Sequence, residues 1–333
     1  MSELSLRSKV MVSVLIGVLA APAAGCGSQR ADIGQVPESP DSSEPTDLPS
    51  FSGLEAAVRS TVWDGVPAAV LVVENSSGRI VDSVVIGDPA RAPLGGGSRS
   101  AGSVMKVLIL AAAIEWGTRP DDVLEVPRCI VLPERMTCGN AAGEYTVAEA
   151  ITSSINPAFV ILFERAPPGT VVEHGAQFGM LLEHTPTVLL GVHPVSMESI
   201  AALMVAIAND GETREITTQD GSTVVAASGR YVSETTAGTV RSLLRLVVTQ
   251  GTGVAADGAD MPFGKTGTAI GQTDAWFAGS TGTHTIVVWV GSVSVDELSA
   301  DDPPTFVPNI SGGGWPAQIF RLVADGIEPV VPP

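Results

Sequence analysis

Ala101-Gly102-Ser103-Val104-Met105-Lys106-Val107-Leu108-Ile109-Leu110-Ala111-Ala112-Ala113-Ile114 carries one charge, Lys106, among apolar and small residues. The stretch is too long for a buried strand and rich in Ala and Leu, so a helix is predicted. Ser103 can cap it by accepting from a free N–H of the first turn. A helix that is apolar on every side is a buried one, which puts Lys106 in the interior. There an unpaired ammonium costs several kcal/mol or gives up its proton. A neutral lysine is a base, and Ser103 lies one helical turn before it on the same face. Ser103 and Lys106 are therefore a candidate nucleophile and base. The plainer reading makes Ser103 a cap only and lets Lys106 snorkel to the surface. Lysine usage weighs against it: the chain has three lysines, Lys9, Lys106 and Lys265, against fifteen arginines. Arginine cannot be deprotonated, so it cannot replace a base.

Composition bounds the rest. With 333 residues and 44% hydrophobic content the chain can bury a substantial core, enough for one large domain. Eighteen cations against thirty-six acids give a net charge of −18, a surface that repels phosphate backbones and anionic lipid headgroups. Nucleic acid is thereby excluded as a partner. The four histidines show no metal spacing, and neither a metal nor another cofactor is expected.

Arg7 and Lys9 precede an apolar run from Val10 to about Ala24, which is short for a membrane span and reads as a signal peptide over residues 1–25. Its end, Ala23-Ala24-Gly25-Cys26, resembles the lipobox of bacterial lipoproteins, with Ala23 in place of the usual leucine. That resemblance implies that Cys26 is lipidated and that the chain is anchored on the extracytoplasmic face of the cell membrane. Cys129 and Cys138 then remain as an even pair in an oxidising compartment, a candidate disulfide. Two cysteines with no nearby histidine make an incomplete zinc site. Residues 26–50 are Ser, Pro and acidic residues with almost no large apolar side chain, a tether that cannot bury enough surface to order itself. It reaches roughly 25 to 30 Å on average.

The folded part is expected over residues 51–330. Leu54 to Ser60 suits a short helix, and Ala68–Glu74 and Ile80–Ile86 read as strands of a hairpin around Asn75-Ser76-Ser77-Gly78. Between Thr118 and Glu144 no strong period appears, and the cysteine pair is expected to staple that loop. Helices are predicted over Thr146–Ser153, after Asn156, over Ser196–Asn209 and over Thr235–Val248. Strands follow over Phe263–Ala269, Asp274–Ser280 and Thr285–Val290, and a last helix at about Pro316–Ala324. Early and late strands must then pair across the helical block, giving an α/β (α+β) fold with one central antiparallel sheet flanked by helices and an all-helical subregion.

Two further stretches carry chemistry. Ser153-Ser154-Ile155-Asn156-Pro157 lies on a turn between helical segments, where serine and asparagine are also ordinary caps. Gly264-Lys265-Thr266-Gly267-Thr268 places glycines where a strand meets another backbone or a ligand, and Lys265 with two threonines can face an anion. An edge strand protected by a lysine reads the same way.

Together the serine-x-x-lysine of Ser103 and Lys106, the serine-x-asparagine of Ser154 and Asn156 and the lysine-threonine-glycine of Lys265 to Gly267 resemble the penicillin-binding, active-site serine transpeptidase family. Thr273-Asp274-Ala275-Trp276-Phe277-Ala278-Gly279, Ala208-Asn209-Asp210-Gly211 and Gly312-Gly313-Gly314-Trp315-Pro316 are similar to its transpeptidase half. The resemblance implies a β-lactamase-like fold and a serine acyl-enzyme, with peptidoglycan stem peptides as substrates and β-lactams as acylating ligands. It implies that Ser103 attacks a D-alanyl-D-alanine carbonyl while Lys106 takes its proton, and that Ser154 with Lys265 relays a proton to the departing D-alanine. It further implies that Asn156 holds the acyl-side amide, that the N–H groups of Ser103 and Thr268 form the oxyanion hole, and that Thr266, Gly267 and Thr268 bind the substrate's carboxylate end. The expected activity is that of a D,D-transpeptidase. A D,D-carboxypeptidase and a penicillin-binding sensor or scaffold that does not turn over are the alternatives. No glycosyltransferase or pedestal domain is expected. The region after Asn156 lacks the glutamate-x-leucine-asparagine of class A β-lactamases, and Glu198, followed by Ala201-Ala202, suits a helix's first turn.

Overall fold

The computed structural model describes residues 53–133, 135–258, 261–292 and 310–326. The leader, Cys26 and the tether lie outside the described residues. In chain order the elements are α1 (Leu54–Arg59), β1 (Ala68–Glu74), β2 (Ile80–Ile86), β3 (Arg99–Ser100), α2 (Lys106–Glu115), β4 (Val123–Val126), β5 (Cys129–Val131), β6 (Met136–Cys138) and β7 (Gly143–Thr146). Then come α3 (Val147–Thr152), α4 (Asn156–Phe163), α5 (Thr170–Gln177), β8 (Pro194–Val195), α6 (Met197–Ala208), β9 (Ile216–Thr217), β10 (Thr223–Val225), α7 (Glu234–Gln250), β11 (Phe263–Thr268), β12 (Asp274–Ser280), β13 (His284–Gly291) and α8 (Trp315–Asp325).

The central sheet is antiparallel, in the order β11-β12-β13-β1-β2. β1 pairs with β13 from Ala68 opposite Val290 to Glu74 opposite His284, so the early hairpin and the late strands do join across the helical block. Both faces of these strands are covered, which is why they read as near-continuous apolar runs. Ala69, Leu71 and Val73 of β1, with Val287 and Trp289 of β13, face a core that includes α2, α4, α6 and α7. Ala68, Val70 and Val72, with Ile286, Val288 and Val290, face α1 and α8. The period of two thus sorts residues between two buried layers rather than between core and solvent.

α2 is the spine of the larger layer. Every residue from Lys106 to Ile114 is buried, and burying each Leu or Ile contributes about 1.5–3 kcal/mol as an upper figure. The helix begins later than its apolar run: Gly102–Met105 is a 3-10 turn, and only at Lys106 does α-helix start. Ser103 caps neither segment, which corrects the expectation of a capping serine inside one continuous helix. Thr146 and Glu149 form a reciprocal capping box on α3, and Ser196 caps α6. The stretch without a period resolves into two small antiparallel pairs, β4 with β7 and β5 with β6. Cys129 and Cys138 sit opposite each other in the second pair and are joined as a disulfide. Closing so short a loop stabilises by about 2 to 3 kcal/mol in the chain-entropy account.

Candidate active site

β11 is one of the two edge strands of the sheet, and the turn carrying Ser103 lies against it. Gly102 has φ +54°, and a Cβ there would stand 2.4 Å from the carbonyl oxygen of Thr268 and 2.7 Å from its nitrogen. A Cβ on Gly267 would stand 2.2 Å from the carbonyl oxygen of Ala101. Only glycine permits both approaches, and together they bring the backbone of Ser103 to the backbone of Thr268. Behind the turn, the indole N–H of Trp276 donates to the carbonyl of Ser100 at 2.9 Å, and the Ser100 hydroxyl donates to the carbonyl of Gly191 at 2.6 Å. The serine is therefore presented by a clamped backbone.

Lys106 and Lys265 are both completely buried and converge on Ser154. Lys106 Nζ donates to the Ser154 carbonyl at 2.6 Å and to Asn156 Oδ1 at 2.6 Å, with Ser154 Oγ at 3.0 Å. Lys265 Nζ lies 2.9 Å from the same Oγ and also donates to the Thr266 carbonyl at 3.0 Å. Burial drives Lys106 well below the usual lysine range, and the positive charge on Lys265 lowers it further. Burial likewise lowers Lys265, to about 7. The Phe159 ring, 5.3 Å from Lys106 Nζ, is part of the apolar wall.

A proton count follows from these partners. A neutral Lys106 has two N–H bonds, and the two carbonyl-type oxygens can only accept, so both are consumed and the lone pair is left for the Ser154 hydroxyl proton. Ser154 then accepts from Lys265 and donates to Lys106, a directed chain from one amine to the other. Among the described residues the Ser103 side chain makes no hydrogen bond, so the direct Ser103–Lys106 contact expected from their spacing is not made. In free enzymes such contacts are often long and tighten only with substrate.

The placement of Ser154 has a local cause. It follows α3 with φ 56°, its N–H donates to the Ile151 carbonyl at 3.1 Å, and the Ile155 N–H donates to the Ala150 carbonyl at 2.9 Å. This is a Schellman stop, in which the left-handed position is normally glycine. Serine there costs about 1 kcal/mol in backbone strain, and the hydroxyl between the lysines is what the strain retains. Ser154→Gly is therefore expected to melt about 2–4 °C above Ser154→Ala, although both lack the hydroxyl. Calorimetry of the two variants checks this, and equal melting temperatures would remove the strain argument.

Ser103, Ser154, Asn156, Thr266 and Thr268 line one cleft of about 540 Å³. Asn156 opens α4, and its Oδ1 is held by Lys106, which leaves the amide N–H₂ for a ligand carbonyl. The Thr268 hydroxyl accepts from the Gly312 N–H at 3.1 Å. Lys265 does not project into solvent as an edge-guarding lysine does. The cleft also takes in Thr252, Ser311 and Gly313, none of which was singled out from the sequence for a role in the site. Their signal was slight: a polar residue flanked by Gly251 and Gly253 after an amphipathic helix, and a serine before three glycines.

A model of the penicillin binding protein transpeptidase domain matches residues 190–301, a span that contains Thr252 and Lys265–Thr268 and stops short of Ser103 and Ser154. No curated protein matches the chain by sequence. Among solved structures, penicillin-binding protein 3 of Mycobacterium tuberculosis superposes with a TM-score of 0.64 at 21% identity, covering 83% of this chain and 75% of that one. The transpeptidase domain of Burkholderia pseudomallei penicillin-binding protein 3 gives 0.65 at 21% identity, covering 83% and 91%. PonA1 of Mycobacterium tuberculosis gives 0.65 at 21% identity, covering 83% and 81%. PonA1 has been solved with penicillin V and the mycobacterial penicillin-binding protein 3 with aztreonam. The fold is that of penicillin-binding-protein transpeptidase domains, and the family match falls on the part of the chain that holds the lysine-threonine-glycine motif.

Proposed function

We propose that this chain, a penicillin-binding-protein transpeptidase domain by its fold and by its match over residues 190–301, is a D,D-transpeptidase that crosslinks peptidoglycan stem peptides through an acyl-enzyme on Ser103. The observation that carries the reading is the pair of buried lysines sharing the hydroxyl of Ser154 in the cleft that also holds Ser103. The substrate's acyl-side amide carbonyl takes the N–H₂ of Asn156. When the Ser154 O–H turns toward the scissile nitrogen, the Lys106 lone pair is released and accepts the Ser103 proton as Oγ bonds to the carbonyl carbon. The N–H groups of Ser103 and Thr268 hold the oxyanion, a contribution of about 3 to 4 kcal/mol per donor in well-studied hydrolases. As the peptide C–N bond breaks, Ser154 gives its proton to the departing D-alanine and is reprotonated by the lysine pair. An acceptor amine then attacks the ester, its surplus proton returning through the same chain to Ser103.

The same reading places the domain outside the cytoplasmic membrane, tethered by residues 26–50 to a lipid on Cys26, and makes β-lactams its acylating ligands, in keeping with the neighbours solved with penicillin V and aztreonam.

The test is intact-mass analysis after incubation with penicillin, followed by turnover of a stem pentapeptide with and without an acceptor amine. A stoichiometric adduct and an amine-dependent crosslinked product are expected. Release of D-alanine with water alone would make the protein a carboxypeptidase, an adduct without stem-peptide turnover would make it a sensor, and no adduct would end the acyl-enzyme reading.

A further inference from the structure

We infer that the pocket between Trp63 and Trp315 is a saccharide subsite, which takes one neutral sugar ring of the glycan strand that enters with the acceptor. The inference deepens the reading above and rests on it for the substrate class and for the end of the cleft that the acceptor uses. The pocket has a volume of about 330 Å³ and is walled by Trp63, Ile310, Trp315 and Pro316, with Ser311 and Gln318 as polar lining. The two indoles meet edge to face, their ring centroids 5.6 Å apart at 64°, so they form a corner rather than a closed stack. Trp315 anchors that corner, since it opens α8 and is packed against the layer of α1 and α8. Packing alone would bury both rings, as it buries Trp276 and Trp289, yet Trp63 is 48% exposed.

Charge decides between ligands. No ionisable side chain is among the pocket's described lining residues. An ammonium would meet the positive end of α8, which begins at Trp315 and is capped by no side chain. An anion would approach a chain of net charge −18 with no cation in the pocket to hold it. What remains is a neutral ligand with one apolar face and a polar rim, and a pyranose is built that way. Its C–H face lies on the electron-rich face of an indole, and its hydroxyls take the Gln318 amide and the Ser311 hydroxyl. Mostly apolar walls with a few polar groups are the mark of a small-molecule site.

The position of the pocket assigns the strand. Ser311 lines both the pocket and the cleft, and the neighbouring Gly312 N–H donates to Thr268, at the end of the cleft given above to the substrate's carboxylate terminus. D-alanine departs from that end. The acceptor amine attacks from the position it vacates, because making the new C–N bond retraces the breaking of the old one. The glycan on this side is therefore the acceptor's.

The test is an NMR titration of the full chain with tetra-N-acetylchitotetraose, followed on the indole N–H signals of its five tryptophans. Those of Trp63 and Trp315 should move together. Those of Trp276 and Trp289, bonded to the Ser100 carbonyl and to Asp274, should stay fixed, and exposed Trp116 reports non-specific contact. Trp63→Ala should weaken binding about tenfold and Trp63→Phe should recover most of it, a ring being what the sugar lies on. Gln318→Ala, at an exposed position, should weaken it about threefold, and the fixed signals of Trp276 and Trp289 show that each variant is folded. Affinity unchanged in Trp63→Ala, a pair of signals that does not move, or equal movement of Trp116 overturns the inference. So does tighter binding of acetyl-lysine amide or acetyl-leucine amide than of the saccharide, which would make the occupant a cation or a peptide side chain. Failure of the function itself is read separately, from the penicillin adduct on the wild type. A protein that binds the saccharide at this pair and forms no adduct keeps this site and loses the acyl-enzyme reading, and the reverse result does the opposite.

Discussion

Ser103→Ala is expected to abolish the covalent penicillin adduct completely while leaving the protein as stable as the wild type. The two halves of that outcome have separate causes. Oγ is the only heavy atom removed, and in the proposed mechanism it is the atom that forms the ester. The fold should not register its loss, because Ser103 caps no helix and its side chain has no hydrogen bond among the described residues. Its turn is held instead by the backbone approach of Gly102 to Thr268 and by the Trp276 bond to Ser100. Fluorescent penicillin labelling beside a melting curve measures both. Label that persists on the alanine variant would refute the nucleophile assignment, and a large fall in melting temperature would show that the turn depends on the hydroxyl.

Lys106→Met should reduce acylation by about three orders of magnitude, the scale of a general base. Methionine keeps the apolar volume of the stem, so packing around Phe159 survives, but the Asn156 Oδ1 and the Ser154 carbonyl lose their donor. Buried acceptors left unmet cost about 1–3 kcal/mol each, offset in part by no longer burying an amine. Lys106→Arg is expected to fail as well, since a guanidinium cannot lose its proton. The pH profile adds a sign. Acylation needs Lys106 neutral, so its rate rises with pH through the lysine's pKa and then levels off. The charge of Lys265 is one of the causes that lower that pKa. Removing it in Lys265→Met lets the pKa rise, so the acid limb moves to higher pH even though the maximal rate also falls. Stopped-flow acylation across the pH range reads the limb, and an unshifted or acid-shifted limb contradicts the coupling.

Much of this arrangement was legible in the residues. The runs Ala68–Glu74 and Ile80–Ile86 are strands as read, the first buried on both faces and the second a half-buried edge strand, both rich in β-branched residues. That early and late strands pair followed from the order of elements, and the structure identifies the partners as β1 and β13. Burial of Lys106 followed from the apolar run around it. What stayed hidden depends on geometry that residue types do not encode. The 3-10 turn at Gly102–Met105 exists because the backbone must press against Thr268, a contact between residues distant in the chain. Ser154 reads as a cap, whereas its chemistry comes from the left-handed φ that aims it between two amines. β4 to β7 and α5 were not read as elements, because the pairs are too short for a period of two to declare itself. Thr252 gave little sign of its bond to Thr266 until β11 was placed beside the end of α7.

The approaches around the turn of Ser103 form a layered stack. Gly191 presses on Gly102, Gly102 on Thr268, the Ala101 carbonyl on Gly267, and Gly312 on both Gly267 and the Trp276 carbonyl. Segments as far apart in the chain as Gly102, Gly191, Gly267 and Gly312 must all be docked for the layers to close. The site is thus a property of the completed fold. A partly folded molecule can have α2, the hairpin and both lysines and still lack a functioning cleft. A shortened chain that lost Gly312 should consequently lack the proposed acylation even with every residue of the three motifs intact.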